Sequence, residues 1–318
     1  MRSPRPTRVP TLWRSVGLSL ALATSVTSLG AQAAPPAAGR DMGGGICANN
    51  PYNCADAVNP IPSPNTVWIE EMTWMDVRDA MKAGKTTVII STGGIEPNGP
   101  WIALGKHNYV LHKNCEAIAR KMGNALCAPI VKFVPEGGVE PPSGHMTSPG
   151  TLSMRQSTFN AILTDLVMSL KAHGFKQMFL IGDSGGNQSG QRFVADSLNK
   201  LWGATPLVAH IQEYYDYASV AAFMKDKGLV EGTSEGLHDD PVIALNIFAD
   251  DPKAIRLDER IKAGKATING VSLADKKKNA ALAKEIIEFR AMTTVNAINK
   301  AIANKGTLPA QPRAGRGG

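Results

Sequence analysis

The feature that most constrains the fold is a regular alternation of short apolar runs with amphipathic helical patterns. Four apolar runs are predicted strands: 85–91, 125–134, 177–181 and 206–211. The helical patterns are mostly longer and lie around them: 75–83, 107–122, 153–173, 187–202 and 272–303. Strands that are apolar on both faces are typical of a parallel sheet covered by helices on each side. The pattern therefore predicts an α/β domain with three layers, α/β/α, and a mostly parallel sheet.

The start of the chain has the pattern of a cleavable export signal over residues 1–33. Four arginines come first, and a mostly apolar stretch follows from Val16 to Leu29. This stretch is shorter than the roughly 20 apolar residues that span a bilayer. Ala31-Gln32-Ala33 has the small-x-small spacing that signal peptidase accepts. We therefore expect a periplasmic or secreted protein, cleaved near Ala33, with no membrane contact after cleavage.

The rest of the chain divides by composition into three parts: an extended Pro/Gly-rich arm at 34–66, the α/β domain at 67–305 and a disordered tail at 306–318. Cys47 and Cys54 lie in the arm, where export makes a disulfide possible and free thiols are the alternative. Cys115 falls in a helical pattern and Cys127 at a strand start. Both are predicted to be buried as small apolar side chains.

The charge balance gives no support for a nucleic-acid partner. The full chain carries 34 Lys and Arg against 27 Asp and Glu. Four of the arginines lie in the predicted signal, which contains no acid, so 30 basic residues remain against 27 acidic ones. This small excess is typical of an ordinary solvated surface. A small-molecule substrate is the expected partner.

Polar residues gather where the predicted strands end, in three loops: 94–107, 182–187 and 235–240. In parallel sheets the carboxyl ends of the strands meet at one edge, and ligands bind there. The loops contain carboxylates, imidazoles and glycine-exposed backbone amides, which are the components of a hydrolytic site. The same residue types also form helix caps and tight turns, so a purely local role is the alternative.

The first loop resembles the motif E-x-H-G-P-x-x-x-L-G-x-D of the creatininase (creatinine amidohydrolase) family. Glu96, Gly99-Pro100 and Leu104-Gly105 keep its spacing. Three further segments resemble later family motifs: 148–153 resembles F-P-G-T-x-S/T, 182–187 stands at N-G-H-G-G-N or N-G-H-Y-E-N, and 235–238 resembles D-x-x-H. The resemblance covers about residues 70–250 in the family's order and implies the creatininase fold.

The resemblance also implies two divalent metals held by a Glu, a His, a bridging Asp, a second His and a further Glu. Of these ligands the sequence keeps only Glu96. The other positions hold Asn98 at the first His, His107 at the Asp, Ser184 at the second His and Gly186 at the last acid. A neutral imidazole donates through one ring nitrogen only, so His107 cannot bridge two metals as a carboxylate does.

What the resemblance implies here is therefore a rearranged site that holds one Zn²⁺ or Mn²⁺. Glu96, His107 and Asp183 would be its ligands, with a water left to attack an amide carbonyl. His238 matches the family's proton-transferring histidine, and Glu235 would either orient it or contact the substrate.

Further contacts to the substrate are expected from the second loop and from Asn98. Gly185, Gly186 and Asn187 would bind substrate, and the backbone amides from Ser184 to Gly186 would face the oxyanion. The expected reaction is hydrolysis of a C–N amide bond in a small linear or cyclic substrate. The resemblance also implies a homo-oligomer.

Two other interpretations of the same residues stay open. Residues 182–186, Gly-Asp-Ser-Gly-Gly, also fit the G-x-S-x-G turn between a strand and a helix, in which Ser184 would be the nucleophile. His238 or His107 would then act as its base, with Asp239 as the orienting acid. Alternatively, the scaffold has lost catalysis and binds a small molecule or supports an assembly.

Overall fold

The computed structural model describes residues 46–306, which belong to two compact units divided between Val58 and Asn59. The predicted signal, the start of the predicted arm and the tail from 307 lie outside the described residues. In the first unit, a disulfide joins Cys47 to Cys54 around a short 3₁₀ helix at Pro51–Asn53. The bridge that the sequence left open is therefore formed.

The second unit is built on a four-stranded sheet with the order β2-β1-β3-β4. Its strands are β1 (Thr87–Thr92), β2 (Ala125–Cys127), β3 (Gln177–Gly182) and β4 (Leu207–His210). Every neighbouring pair is parallel, as the apolar runs predict. A separate antiparallel hairpin follows, β5 (Thr267–Ile268) with β6 (Val271–Ser272).

Helices connect the strands and extend the domain after β4. They are α1 (Trp74–Lys82), α2 (Lys106–Met122), α3 (Gln156–Ala172), α4 (Gln188–Trp202), α5 (Tyr217–Asp226), α6 (Pro241–Asp250), α7 (Leu257–Lys262) and α8 (Lys276–Ala303). Within residues 46–306, no helix combines the length and apolar character that crossing a bilayer requires.

The layers follow from the alternation of side chains along each strand. Ile89 of β1 shares one buried apolar cluster with Leu111 of α2 and Ile298 of α8. Its neighbour Val88 belongs to the opposite cluster, which includes Leu163 of α3 and residues of α4. Both faces of the sheet are therefore covered by helices, and the predicted three-layer α/β/α architecture is confirmed.

The second predicted strand, 125–134, is wrong in its length, because β2 ends at Cys127. Pro129 has no backbone N–H to donate to a ladder. Beyond it the chain makes only isolated bridges, Val131 with Thr92 and Val134 with Ser153. The residues after β2 therefore form a loop at the carboxyl edge of the sheet.

A second disulfide joins Cys115 of α2 to Cys127 of β2. Both residues are fully buried as predicted, but the expectation that they act only as small apolar side chains is wrong. The helix returns along the sheet after β1 and brings Cys115 beside the end of β2, with 6.2 Å between the two Cα atoms. Sequence periodicity places each residue in its element but does not measure this distance.

The start of α1 depends on the carboxylate of Asp76. Its Oδ2 accepts hydrogen bonds from the backbone N–H and the hydroxyl of Thr73, and the two residues form a capping box. Its Oδ1 accepts hydrogen bonds from the side chains of Asn59 and Ser63. The hydrogen bond from Ser63, together with those from Thr73 and Asn59, outweighs burial and lowers the pKa of Asp76 to about 2.

We predict that Asp76→Asn lowers the free energy of unfolding by about 1–2 kcal/mol at pH 7. Because the pKa of Asp76 is lower in the folded protein than in the unfolded chain, its ionised form stabilises the fold at pH values above about 4. This stabilisation is lost as the pH falls toward 2. The gap between wild type and variant in urea denaturation should therefore narrow from pH 7 to pH 3. The exposed neighbour Glu70, as Glu70→Gln, is the control and should change stability by less than about 0.5 kcal/mol. A difference in stability between wild type and variant that does not change with pH would contradict the lowered pKa of Asp76.

Candidate active site

The loops after β1 and β3 meet the segment before α6 around one open pocket of about 1090 Å³. Glu96 comes from the first loop, Asp183 from the second and His238 from the third. The pocket lies beyond the carboxyl ends of the central strands, where ligands bind in open parallel sheets. The three polar loops that the sequence singles out therefore contribute to a single site.

A buried hydrogen-bonded chain lies at the base of this pocket. His107, at the start of α2, is 4 % exposed, and its Nε2 lies 2.7 Å from Glu96 Oε1. Its Nδ1 lies 2.8 Å from Asp183 Oδ2. Burial alone would lower the pKa of His107, but the hydrogen bonds with Asp183 and Glu96 raise it to about 9. At neutral pH the ring is therefore an imidazolium that donates from both nitrogens.

Two further cations close the ends of the chain. Lys106 Nζ lies 3.0 Å from Glu96 Oε1, and both side chains are 2 % exposed. Arg290 of α8 donates from Nη2 to Asp183 Oδ1 at 2.9 Å, and the Tyr217 hydroxyl donates to the same oxygen. The resulting order is Lys106, Glu96, His107, Asp183, Arg290, with alternating charge.

Glu136 adds a second carboxyl group beside Glu96. Burial, followed by the negative charge of Glu96, raises the pKa of Glu136 to about 9, so this group is a neutral acid at pH 7. Gly94 permits the approach, because a Cβ there would lie 2.1 Å from Glu136 Oε1. For Glu96, burial acts to raise the pKa, but His107 and Lys106 lower it, so Glu96 stays ionised.

Glu96, His107 and Asp183 lie together, as the sequence predicts for metal ligands, but they do not surround a common point. Both ring nitrogens of His107 face carboxylates, and both oxygens of Asp183 accept hydrogen bonds. The three residues form a chain of ion pairs instead.

A different trio converges on one point: Glu96, His145 and His238. Their ligand atoms all lie within 4.8 Å of one another. His145 Nε2 is 3.2 Å from Glu96 Oε2, and His238 Nε2 is 3.8 Å from Glu96 Oε1. The two imidazole rings stack with centroids 4.7 Å apart. One carboxylate and two imidazoles form a donor set that suits a divalent metal ion.

The sequence prediction missed His145, although a neighbouring motif holds it. The residue lies in the loop between β2 and α3, just before the Ser148–Ser153 segment. Thr151 of that segment donates from Oγ1 to the His145 carbonyl, and the Ser148 backbone N–H donates to the same oxygen. The Ser148–Ser153 segment therefore positions His145, although this histidine lies outside the segment that resembles the family motif.

His238 is held in an orientation that suits a ligand. Its Nδ1 lies 2.9 Å from the Pro97 carbonyl, which fixes the hydrogen on Nδ1 and leaves the Nε2 lone pair toward Glu96. The backbone of His238 has φ +55°, a strained value for a residue with a side chain. Gly99 (φ +59°) lets the two loops approach, since a Cβ there would lie 3.1 Å from Leu237 Cβ.

Three predicted site residues have structural contacts instead. The Asn98 side-chain amide donates to the carbonyls of Glu96 and Ala103, and that of Asn187 donates to the carbonyls at the end of β1. Glu235 exchanges hydrogen bonds with Asn269 and does not orient His238. None of the three lines the pocket.

Ser184, Gly185 and Gly186 do line the pocket. Gly186 allows close packing, since a Cβ there would lie 2.4 Å from the Pro135 carbonyl oxygen. Within residues 46–306, Ser184 Oγ has no hydrogen bond to a histidine or a carboxylate. A nucleophilic serine is usually activated by such a base, so the described contacts of Ser184 give the serine-hydrolase interpretation no support.

Comparison with known proteins identifies the family. The family model Creatininase, described as creatinine amidohydrolase, matches residues 70–306. The chain belongs to the creatininase family. Membership supports a hydrolase of the amidohydrolase type and confirms the resemblance found in the loop motifs.

Two curated relatives of the chain are distant in sequence. The chain is 20 % identical over 172 residues to creatinine amidohydrolase of Pseudomonas putida, covering 52 % of this chain and 62 % of the relative. It is 27 % identical over 131 residues to 3-dehydro-scyllo-inosose hydrolase of Thermotoga maritima, covering 41 % and 38 %. The chain therefore spans less than two thirds of either curated relative.

Solved structures agree on the fold. A creatinine amidohydrolase (creatininase) has a TM-score of 0.50 at 18 % identity, covering 78 % of this chain and all of that one. A candidate creatinine amidohydrolase from Bacteroides fragilis has a TM-score of 0.53 at 16 % identity, with the same coverage. At these identities the likeness shows the fold alone.

We predict that Arg290→Met destabilises the protein by about 3–5 kcal/mol, because it leaves Asp183 buried without one of its cations. Urea denaturation at pH 7 measures the loss. Lys227→Met, which removes an exposed partner of Glu285, is the control and should cost about 0–1 kcal/mol. Equal losses in the two variants would mean that the buried chain adds nothing beyond a surface ion pair.

Proposed function

We propose that this protein is a metal-dependent amidohydrolase that cleaves a C–N amide bond in a small linear or cyclic molecule. The observation that carries the proposal is the convergence of Glu96, His145 and His238 at the pocket. The family supports hydrolysis, and both curated relatives are named as hydrolases.

The donor set fits Zn²⁺ or Mn²⁺ in its chemistry. Imidazole nitrogen and carboxylate oxygen are common ligands of both ions, and three protein ligands leave a coordination position for substrate or water. A divalent ion in this position would polarise an amide carbonyl and lower the pKa of water. The hydrogen bond from His238 to the Pro97 carbonyl is the kind of contact that orients a ligating histidine.

The chain's own residues prepare the site for such an ion. Lys106 and His107 fix Glu96 through Oε1, so that Oε2 is directed toward His145. The loop from Ser184 to Gly186 forms another part of the pocket wall, and backbone amides of such a loop can stabilise a developing oxyanion. A pocket of about 1090 Å³ accommodates a small molecule together with water.

We predict that the mature protein, dialysed against excess Zn²⁺ or Mn²⁺ and then desalted, retains metal and hydrolyses members of a panel of small amides and lactams. Glu96→Gln, His145→Asn and His238→Asn should each lose the metal and at least about 100-fold in activity, because each removes a ligand. Elemental analysis and amine release measure the two effects. His173→Asn, which changes an exposed histidine at the end of α3, is the control.

The same experiment separates the alternatives. Activity that survives chelation but disappears in Ser184→Ala would favour a serine hydrolase. Neither metal nor activity on any amide would favour a binding protein, and the proposal would fail. Assembly as a homo-oligomer stays a prediction.

We also propose that the protein works outside the cytoplasm, in the periplasm or secreted. The signal-like pattern of residues 1–33 supports export, and so do the two disulfides, since such bonds persist in oxidising compartments. Intact mass measurement on the exported fraction should give a chain that begins near Ala34. A full-length chain confined to the cytoplasm would contradict export.

A further inference from the structure

The buried chain behind the Glu96, His145 and His238 cluster consists of five side chains: Lys106, Glu96, His107, Asp183 and Arg290. All five are at most 4 % exposed. Lys106 pairs with Glu96 at one end, Arg290 pairs with Asp183 at the other, and the His107 ring lies between the two carboxylates. The protein's own side chains therefore fill the space beside Glu96.

The atoms of this chain are already engaged with one another. Glu96 Oε1 contacts Lys106 Nζ at 3.0 Å and His107 Nε2 at 2.7 Å. Asp183 Oδ2 contacts His107 Nδ1 at 2.8 Å, while Oδ1 accepts from Arg290 and Tyr217. A metal ion between Glu96 and Asp183 would have to displace the His107 ring that lies between them.

Asn98 and Ser184, which stand at two of the family's ligand positions, offer no replacement ligands. The Asn98 side-chain amide is turned toward backbone carbonyls of its own loop. Ser184 presents a neutral hydroxyl, which is a poor metal ligand compared with imidazole or carboxylate. Within the described residues, the only group of three or more ligand side chains that converges on one point is Glu96, His145 and His238.

We propose that Lys106, His107 and Arg290 permanently take the place of a second metal ion, so that the pocket binds one divalent ion per chain and no more. This inference rests on the proposed function, because it assumes that the Glu96 cluster binds metal. Lys106 neutralises Glu96 and Arg290 neutralises Asp183, as a metal ion would, and both side chains are fixed parts of the protein. The carboxylates are thus held in place with or without metal.

The first test counts ions. The mature protein is saturated with Zn²⁺ or Mn²⁺, separated from free metal by gel filtration and measured by elemental analysis and native mass spectrometry. One ion per chain is expected. Two ions would overturn this inference and leave the proposed function standing, whereas no ion would contradict both.

The second test replaces the ring at the centre of the chain. The double substitution Asn98→His with His107→Asp removes the imidazole ring that lies between Glu96 and Asp183 and adds two metal-binding side chains. We expect this variant to bind a second equivalent of metal, visible in native mass spectrometry. Lys113→Gln, at a half-exposed lysine on the same helix, is the control and should keep one equivalent.

Circular dichroism and thermal melting show whether the double variant is folded. A folded double variant that still binds one ion would overturn the idea that the charged chain excludes the second. If the double variant does not fold, the count on the unaltered protein still decides between one ion and two.

Discussion

The His107 ring between the carboxylates of Glu96 and Asp183 is the interaction on which the rest of the site depends. It links the loop after β1, the start of α2 and the end of β3, and Arg290 extends the link to α8. Buried charges are tolerated only when they are paired and hydrogen-bonded. These elements must therefore assemble together, and their fixed arrangement determines the shape of the pocket.

The same interaction sets the chemistry of the pocket. Glu96 stays ionised because cations surround it, while the neighbouring Glu136 is kept neutral by burial and by the charge of Glu96. Two carboxyl groups in contact thus carry different protonation states. The ionised group faces His145 and His238, and these three residues could together hold a metal ion.

The sequence predicted the layers, the parallel sheet and the convergence of three loops, because apolar periodicity and strand direction decide all of them. It identified Glu96 and His107 through the resemblance of one loop to the family motif. It did not reveal that His107 belongs to a chain of ion pairs that ends at Arg290. Arg290 lies 107 residues after Asp183, and only packing brings the two side chains together. His145 was missed for the same reason: its loop has no periodicity, and its neighbours in space come from elsewhere in the chain.

The central claim is that one divalent ion binds at Glu96, His145 and His238, beside a chain of ion pairs that excludes a second ion. Anomalous diffraction from crystals of the metal-loaded protein tests it most directly. We expect a single strong peak about 2.0–2.2 Å from Glu96 Oε2 and from one nitrogen of each histidine. Two peaks, or one peak between Glu96 and Asp183 with His107 displaced, would contradict it.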